Sequence, residues 1–97
     1  MKIYISQPML GESHASIIKA RARAICFAEK EYPGCFIVDS LFSGTDWNAV
    51  RCLAESLKKL AEADVAVFVK GWEKARGCQV EHMVAEKYGI GIEEMTE

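Results

Sequence analysis

The chain lacks most of the features that would name a function class outright. No apolar run is long enough to span a bilayer. The N-terminal "MKIYISQPM" has one lysine and a short apolar stretch that breaks at Pro8, which is not the pattern of a signal peptide. Neither sign of charge dominates. Twelve Lys and Arg stand against 14 Asp and Glu, a formal charge of −2, which argues against a surface built around nucleic-acid phosphates. Four cysteines, Cys26, Cys35, Cys52 and Cys78, lie at wide intervals without the spacing of a zinc knuckle or a CxxC pair. His14 and His82 are isolated, so no metal site is expected. The segment "SQPMLGESH" has one glycine and neither GxGxxG nor Walker spacing, which leaves no dinucleotide or NTP loop. These absences give the expectation of a cytoplasmic protein with reduced thiols, no cofactor, no membrane partner and no nucleic-acid polymer partner.

What is present is a 97-residue chain, 51% hydrophobic and 27% charged, enough for one domain with a single core. "KIYIS" reads as a strand, stopped by "QPMLG". A helix is predicted from an N-cap at Ser13 to about Tyr32, with Ile18, Ala22, Ile25 and Ala28 inward and Lys19, Arg21, Arg23 and Lys30 facing away. Pro33 and Gly34 end it, and "CFIVDS" is the second strand. Thr45 or Asp46 is expected to cap a second helix with Val50, Leu53, Ala54, Leu57, Leu60 and Ala61 on its inner face. "DVAVFVK" is a continuous apolar strand of the kind buried on both sides of a parallel sheet. A third helix runs from about Ala75 to Tyr88 with Val80, Met83, Val84 and Tyr88 inward, and "GIGIEE" is a last short strand.

Strands that alternate with helices give an α/β three-layer sandwich, flavodoxin-like or Rossmann-like, with a parallel sheet of about four strands. In such sheets ligands bind at the carboxyl ends of the strands, where the strand order reverses. That places the candidate site among "SQPMLG", "DSLFSGTDW" and "KGWEKARG".

Within these segments Glu81 has the most distinctive setting. On a helix, Gly77, Glu81 and Ala85 form one row, which leaves the carboxylate in a notch between two small residues and near a helix N-terminus that favours an anion. An ionised, accessible carboxylate is what nucleophilic attack on a sugar carbon requires. The alternative is a glutamate on the solvated helix face beside His82 and Glu86. Tyr4 is either a core residue or a hydroxyl aimed at a catalytic carboxylate near the strand end. Asp39 ends the second strand at the predicted site, whereas Asp64 opens the third strand at the opposite end and is expected to cap the preceding loop. Trp47 and Trp72 either stack on a base or cover the core; Arg76 either reaches an anionic group or pairs on the surface.

Taken together, "KIYISQPMLG" and "ADVAVFVKGWEKARGCQVEHMVAEKYGI" resemble a family of small phage and bacterial proteins of unassigned function. That family is similar to nucleoside 2-deoxyribosyltransferases and to 2′-deoxynucleoside 5′-phosphate N-hydrolases, with segments close to YISGPMTG and GWExSxGAxxE. The resemblance implies a role for Glu81 as the nucleophile that attacks C1′ of a deoxyribose, with Tyr4 holding the carboxylate. It implies that Ser6, Gln7, Pro8, Met9 and Gly11 line the sugar and any 5′-phosphate. Gly77 would let substrate approach the helix start; Asp39, Trp72 and Arg76 join the candidate site by their places in its loops. It further implies a nucleoside or nucleotide ligand and a homodimer or larger homo-oligomer. Two departures stand out. Active relatives carry an aspartate where this chain has Ser56, and often a glycine where it has Gln7. Serine cannot supply the second carboxylate, and Glu55 cannot take its place without turning the helix. A non-catalytic nucleoside- or nucleotide-binding module is therefore the alternative to an enzyme.

Overall fold

Short β-branched runs and amphipathic helices alternate along the chain, and each strand hands its chain to a helix that folds back over the sheet. The structure is a computed structural model and describes residues 1–40 and 46–97. The elements are β1 (Lys2–Ser6), α1 (His14–Glu31), β2 (Phe36–Ile37), α2 (Ala49–Leu60), β3 (Val65–Phe68), a 3₁₀ turn (Trp72–Lys74), α3 (Arg76–Tyr88) and β4 (Gly91–Glu94). All four strands are parallel, in the order β2-β1-β3-β4, with Tyr4 opposite Ala66 and Ala66 opposite Ile92. The expected small α/β sandwich of flavodoxin-like, Rossmann-like form is the fold observed.

Two cores lie on the two faces of this sheet. On one, Ile3, Ile5, Val65, Val67 and Val69 pack against Ala24 and Ala28 of α1. On the other, Tyr4, Val38, Ala66 and Phe68 pack against Leu60 of α2 and Ala85 of α3. The central strands are apolar on both sides for this reason, and fully burying each Val, Ile or Phe contributes about 1.5–3 kcal/mol. Because α1 leaves β1 on one face and α3 leaves β3 on the other, the chain parts between these two strands. The crevice opens at Ser6–Pro8 and Val69–Gly71, joined where the Val69 N–H donates to the Ser6 carbonyl at 2.9 Å.

Local chemistry sets the ends of the helices. Ser13 caps α1 as expected, its hydroxyl accepting from the Ser16 N–H at 3.1 Å. The cap of α2 is Asn48, which accepts from the Arg51 N–H at 2.8 Å, rather than Asp46; Thr45 lies outside the described residues. Gly89, at φ 79°, closes α3 in the left-handed region that a side chain disfavours. Asp64 does not cap the preceding loop. Its carboxylate accepts from the Lys2 N–H at 2.7 Å and so fixes the start of β1.

The inner faces of all three helices differ from the expected stripes. In α1 the buried positions are Ala24 and Ala28, with Ala20, Ile25 and Phe27 against the core, whereas Ile18 and Ala22 are exposed. Alternating alanines in "KARARA" made several registers equally apolar. In α2 only Leu60 is fully buried; Val50, Ala54 and Ala61 face outward. In α3 the buried residues are Cys78, Glu81 and Ala85, while Met83 and Tyr88 are exposed. The second strand is also shorter than "CFIVDS", with only Phe36–Ile37 as strand.

Candidate functional site around Glu81

The rotation of α3 relative to its hydrophobic pattern puts a carboxylate against the sheet. Glu81 is 5% exposed. It is therefore not the solvated-face glutamate that the helix pattern allowed. Burial of an ionisable group at this depth requires partners, and both come from β1. The Tyr4 hydroxyl donates to Glu81 Oε2 at 2.6 Å and the Ser6 hydroxyl to Oε1 at 2.6 Å. Tyr4 and Ser6 are two apart on the strand, so both point to the α3 face.

The electrostatics follow from this burial. Desolvation pushes the Glu81 carboxyl above the usual carboxylate range, and the bonds from Ser6 and Tyr4 pull it back in part. Desolvation first, then the Glu81 charge, pushes the Tyr4 phenol far above its ordinary value, so it remains a proton donor. Ser56, on α2, is near enough to the same phenol to pull it back in part. The Cys78 thiol, one helical turn before Glu81, is pushed up to about 11, mainly by burial, with nearby Ser6 opposing the shift. Tyr4, Ser6, Ser56, Cys78 and Glu81 thus form one polar cluster between the sheet and its two helices.

A second group flanks this cluster. His82 stacks on Trp72 with centroids 4.1 Å apart and planes 4° from parallel, and meets Phe68 edge-on at 4.8 Å. Its Nε2 lies 2.8 Å from a Glu94 carboxylate oxygen at the end of β4. Trp72 is fixed by these contacts and packs against the core cluster of Tyr4, Phe68 and Ala85. Trp47 is 36% exposed, with the Arg51 guanidinium 4.9 Å from its ring centroid.

The remaining expected residues divide. Gln7 is 6% exposed and points the other way from Ser6, its amide donating to the Ile17 carbonyl of α1 at 3.0 Å. Pro8 sits near Gly71, whose φ of 95° is open only to glycine without strain. Met9 and Gly11 lie in an exposed turn, closed by the Glu12 N–H on the Met9 carbonyl at 3.0 Å, without a bond to Glu81. Arg76 and Gly77 form the exposed first turn of α3, where a Cβ on Gly77 would meet nothing within 4 Å. The fold therefore gives no steric reason for that glycine. Glu55 is held by Arg51 and Lys58 at 3.3 and 3.2 Å on the outer side of α2, so it does not replace the missing aspartate.

Sequence reasoning missed Arg21, which it placed on the solvated face. Its guanidinium instead reaches the chain after β2 and donates to the Val38 carbonyl and the Ser40 hydroxyl, both at 3.3 Å. The signal was its position four residues after Ile17, on the same helix face. Burial lowers its pKa, while the charges of Asp39 and Tyr4 raise it, which places Arg21 at the carboxyl ends of β1 and β2 beside the polar cluster. Among the clefts between described residues, two lie away from Glu81. One, of about 270 Å³, lies over α1 between Ser16, Lys19, Arg23 and Lys70. The other, of about 400 Å³, is an apolar groove between Leu57, Ala61, Val84, Tyr88 and Ile90. Among the described residues no helix is long and apolar enough to cross a membrane.

The profile of a domain of unknown function, DUF4406, matches residues 1–94, and the chain belongs to that family. No curated protein matches the chain, and no solved structure does.

Proposed function

We propose that this protein cleaves or transfers at the N-glycosidic bond of deoxynucleosides or their 5′-monophosphates, with Glu81 as the nucleophile. One observation carries the reading. A carboxylate is buried at the ligand-binding end of a parallel sheet, with both oxygens held by hydroxyls at 2.6 Å. A carboxylate oriented in this way and approached at C1′ forms a glycosyl ester while the C1′–N bond breaks and the base departs with its electron pair. Water or a second base then attacks C1′ and returns the carboxylate. Tyr4 and Ser6 orient the attacking group and limit its basicity. Trp72, locked by His82, offers an aromatic face for the base, and the open first turn at Gly77 leaves room for the sugar. The chemistry needs neither metal nor redox cofactor.

Ser56 favours a second reading. It stands beside Tyr4 without the charge that would assist departure of the base, a contribution of about 10²–10⁴-fold. The alternative is a binding module that recognises the ligand without cutting it. The exposed apolar stripe of α2, at Val50, Ala54 and Ala61, supports a homo-oligomer, and four free cysteines suit a cytoplasmic location.

The test is chromatography of deoxynucleosides and their 5′-monophosphates after incubation with the protein, with and without a second base, beside Glu81→Gln. Base release or exchange that disappears in the variant is expected. No turnover, with a ligand that still raises Tm, assigns the protein to the binding class.

A further inference from the structure

From His14 to Ala28, α1 carries Lys19, Arg21 and Arg23 and no acidic residue, in a chain whose formal charge is −2. Arg21 turns aside to Val38 and Ser40, but Lys19 and Arg23 do not. They stand four apart, a like-charged pair that weakens a helix, and no acidic side chain in the first turn offsets the helix dipole. Both line the cleft of about 270 Å³ over α1, together with Lys70 from the chain leaving β3. Among the described residues no carboxylate pairs with Lys19, Arg23 or Lys70, not even Glu12 in the same cleft. A buried group behind the cleft is also unspent. Gln7 precedes the lining residue Pro8, and its amide donates to the Ile17 carbonyl, between the lining residues Ser16 and Ala20. Its buried Oε1 has no partner among the described residues, which natural folds rarely allow. The cleft opens where the chain parts between β1 and β3, on the face of the sheet away from Glu81.

We propose that this cleft is a second binding site, for a small hydroxy-polycarboxylate. The spacing of the cations decides the class. Lys19 and Arg23 lie one helical turn apart, about 5–6 Å between Cβ atoms, and Lys70 approaches from the other wall. Positive charge spread in this way matches separate carboxylates on a short carbon skeleton better than one compact phosphate. The Arg23 fork takes one carboxylate in two bonds, and the two ammonium groups take others as point charges. Pro8, Ala20 and Val69 give the skeleton an apolar floor. A hydroxyl on that skeleton supplies the donor that Gln7 Oε1 lacks, and Glu12 limits how much negative charge the cleft accepts. Tyr4 and Ser6 direct Glu81 to the opposite side of β1, so the site does not depend on the glycosidic reading.

Amide-resolved magnetic-resonance titration of the whole chain tests the site with citrate, tricarballylate (the same three carboxylates without the hydroxyl), acetate and pyrophosphate. Citrate is expected to bind with a Kd of about 0.1–1 mM, as exposed and salt-screened charges allow. It should shift the amides of Ser16, Lys19, Arg23 and Lys70. Tricarballylate should bind about 2- to 10-fold more weakly, the value of one hydrogen bond, and acetate more weakly still. Lys19→Gln and Arg23→Gln should each weaken citrate by about 10-fold, the value of a charge-assisted bond. Tm should stay at or above that of the parent, since each change relieves the like-charged pair. Glu81→Gln should bind citrate as the parent does, so loss of the glycosidic reading leaves this site standing. Citrate binding that ignores both α1 variants refutes the proposal, as do shifts confined to the surroundings of Glu81. Equal binding of the two tricarboxylates, or tighter binding of pyrophosphate, refutes the assigned class. Displacement of citrate by a deoxynucleoside 5′-monophosphate also overturns it, because the cleft would then belong to the Glu81 site.

Discussion

Replacing Glu81 by glutamine keeps the size of the side chain and its two hydrogen-bonding positions while removing the charge. In the parent, two hydroxyls donate to the carboxylate at 2.6 Å. Each such bond stabilises an ionised carboxylate by about 1.5–3 kcal/mol. Burial opposes them and is the larger effect, because the carboxyl titrates above its ordinary value despite both bonds. Glutamine loses the charge assistance but also the desolvation penalty, and the two hydroxyls rotate to suit its carbonyl and amide. The expected net result is a gain of about 1 kcal/mol near pH 8, or several degrees in Tm for a domain of this size. The sign depends on pH. Below 4.5, the ordinary value of the carboxyl, folded and unfolded chains both hold the proton and the parent keeps its full stability. As pH rises through the higher folded value, the unfolded chain has already released its proton, so parental stability falls. Glutamine does not titrate. The gap between the two proteins should therefore be near zero at pH 4 and open toward pH 8, as read from urea unfolding at a series of pH values. A variant less stable than the parent at pH 8, or a gap that ignores pH, would refute the reasoning and make the carboxylate a net anchor of the fold. Alanine is the contrasting change. It leaves Tyr4 and Ser6 unpartnered beside a cavity and should cost about 2–4 kcal/mol.

Ser56→Asp places a second carboxylate beside Tyr4. It should raise base release up to about 100-fold and, by repulsion, push the Glu81 carboxyl higher still, moving the acid limb of the pH–rate profile to higher pH. His82→Ala removes the Trp72 stack and the Glu94 contact; a loss of about 1–2 kcal/mol and a red-shifted tryptophan emission are expected. Gly77→Ala should stabilise α3 by about 0.5 kcal/mol, since nothing lies within 4 Å of the added methyl, while weakening ligand binding measured by titration. Val50→Glu, at a side chain 76% exposed, should leave monomer stability within about 0.5 kcal/mol yet lower the mass seen in sedimentation. An unchanged mass would remove α2 from the contact between copies.

The alternation of β-branched runs with helical periods made the layer order readable from sequence, and Ser13 and Pro33–Gly34 marked the ends of α1. The helix faces were harder to read. Hydrophobic periodicity finds the buried side of a helix only where that side is apolar, and α3 presents Cys78, Glu81 and Ala85 to the sheet. The same pattern would have left Glu81 in solvent. Only its resemblance-based pairing with Tyr4 pointed inward, and that pair is joined by a bond in the structure. Arg21 was hidden among other basic residues of α1 because its partners, Val38 and Ser40, are distant in sequence and offer neutral oxygens. Local conflict between pattern and fold is concentrated at these two charged residues, where function tends to reside.

The position of β1 at the centre of the sheet also governs how the protein is made. β1 pairs with β2 and, through Ile3–Ser6, with β3 at Val65–Phe68. A ribosome therefore releases β1 long before the strand that completes its hydrogen bonding. Tyr4 and Ser6 wait longer, because their shared partner Glu81 follows 77 and 75 residues later. Contacts of this span are slow to close and reward the chain only at the end of closure. During synthesis the nascent chain must carry an apolar strand with at most its β2 edge paired until β3 is made, so its exposure to chaperones and to aggregation falls in the interval before β3 emerges.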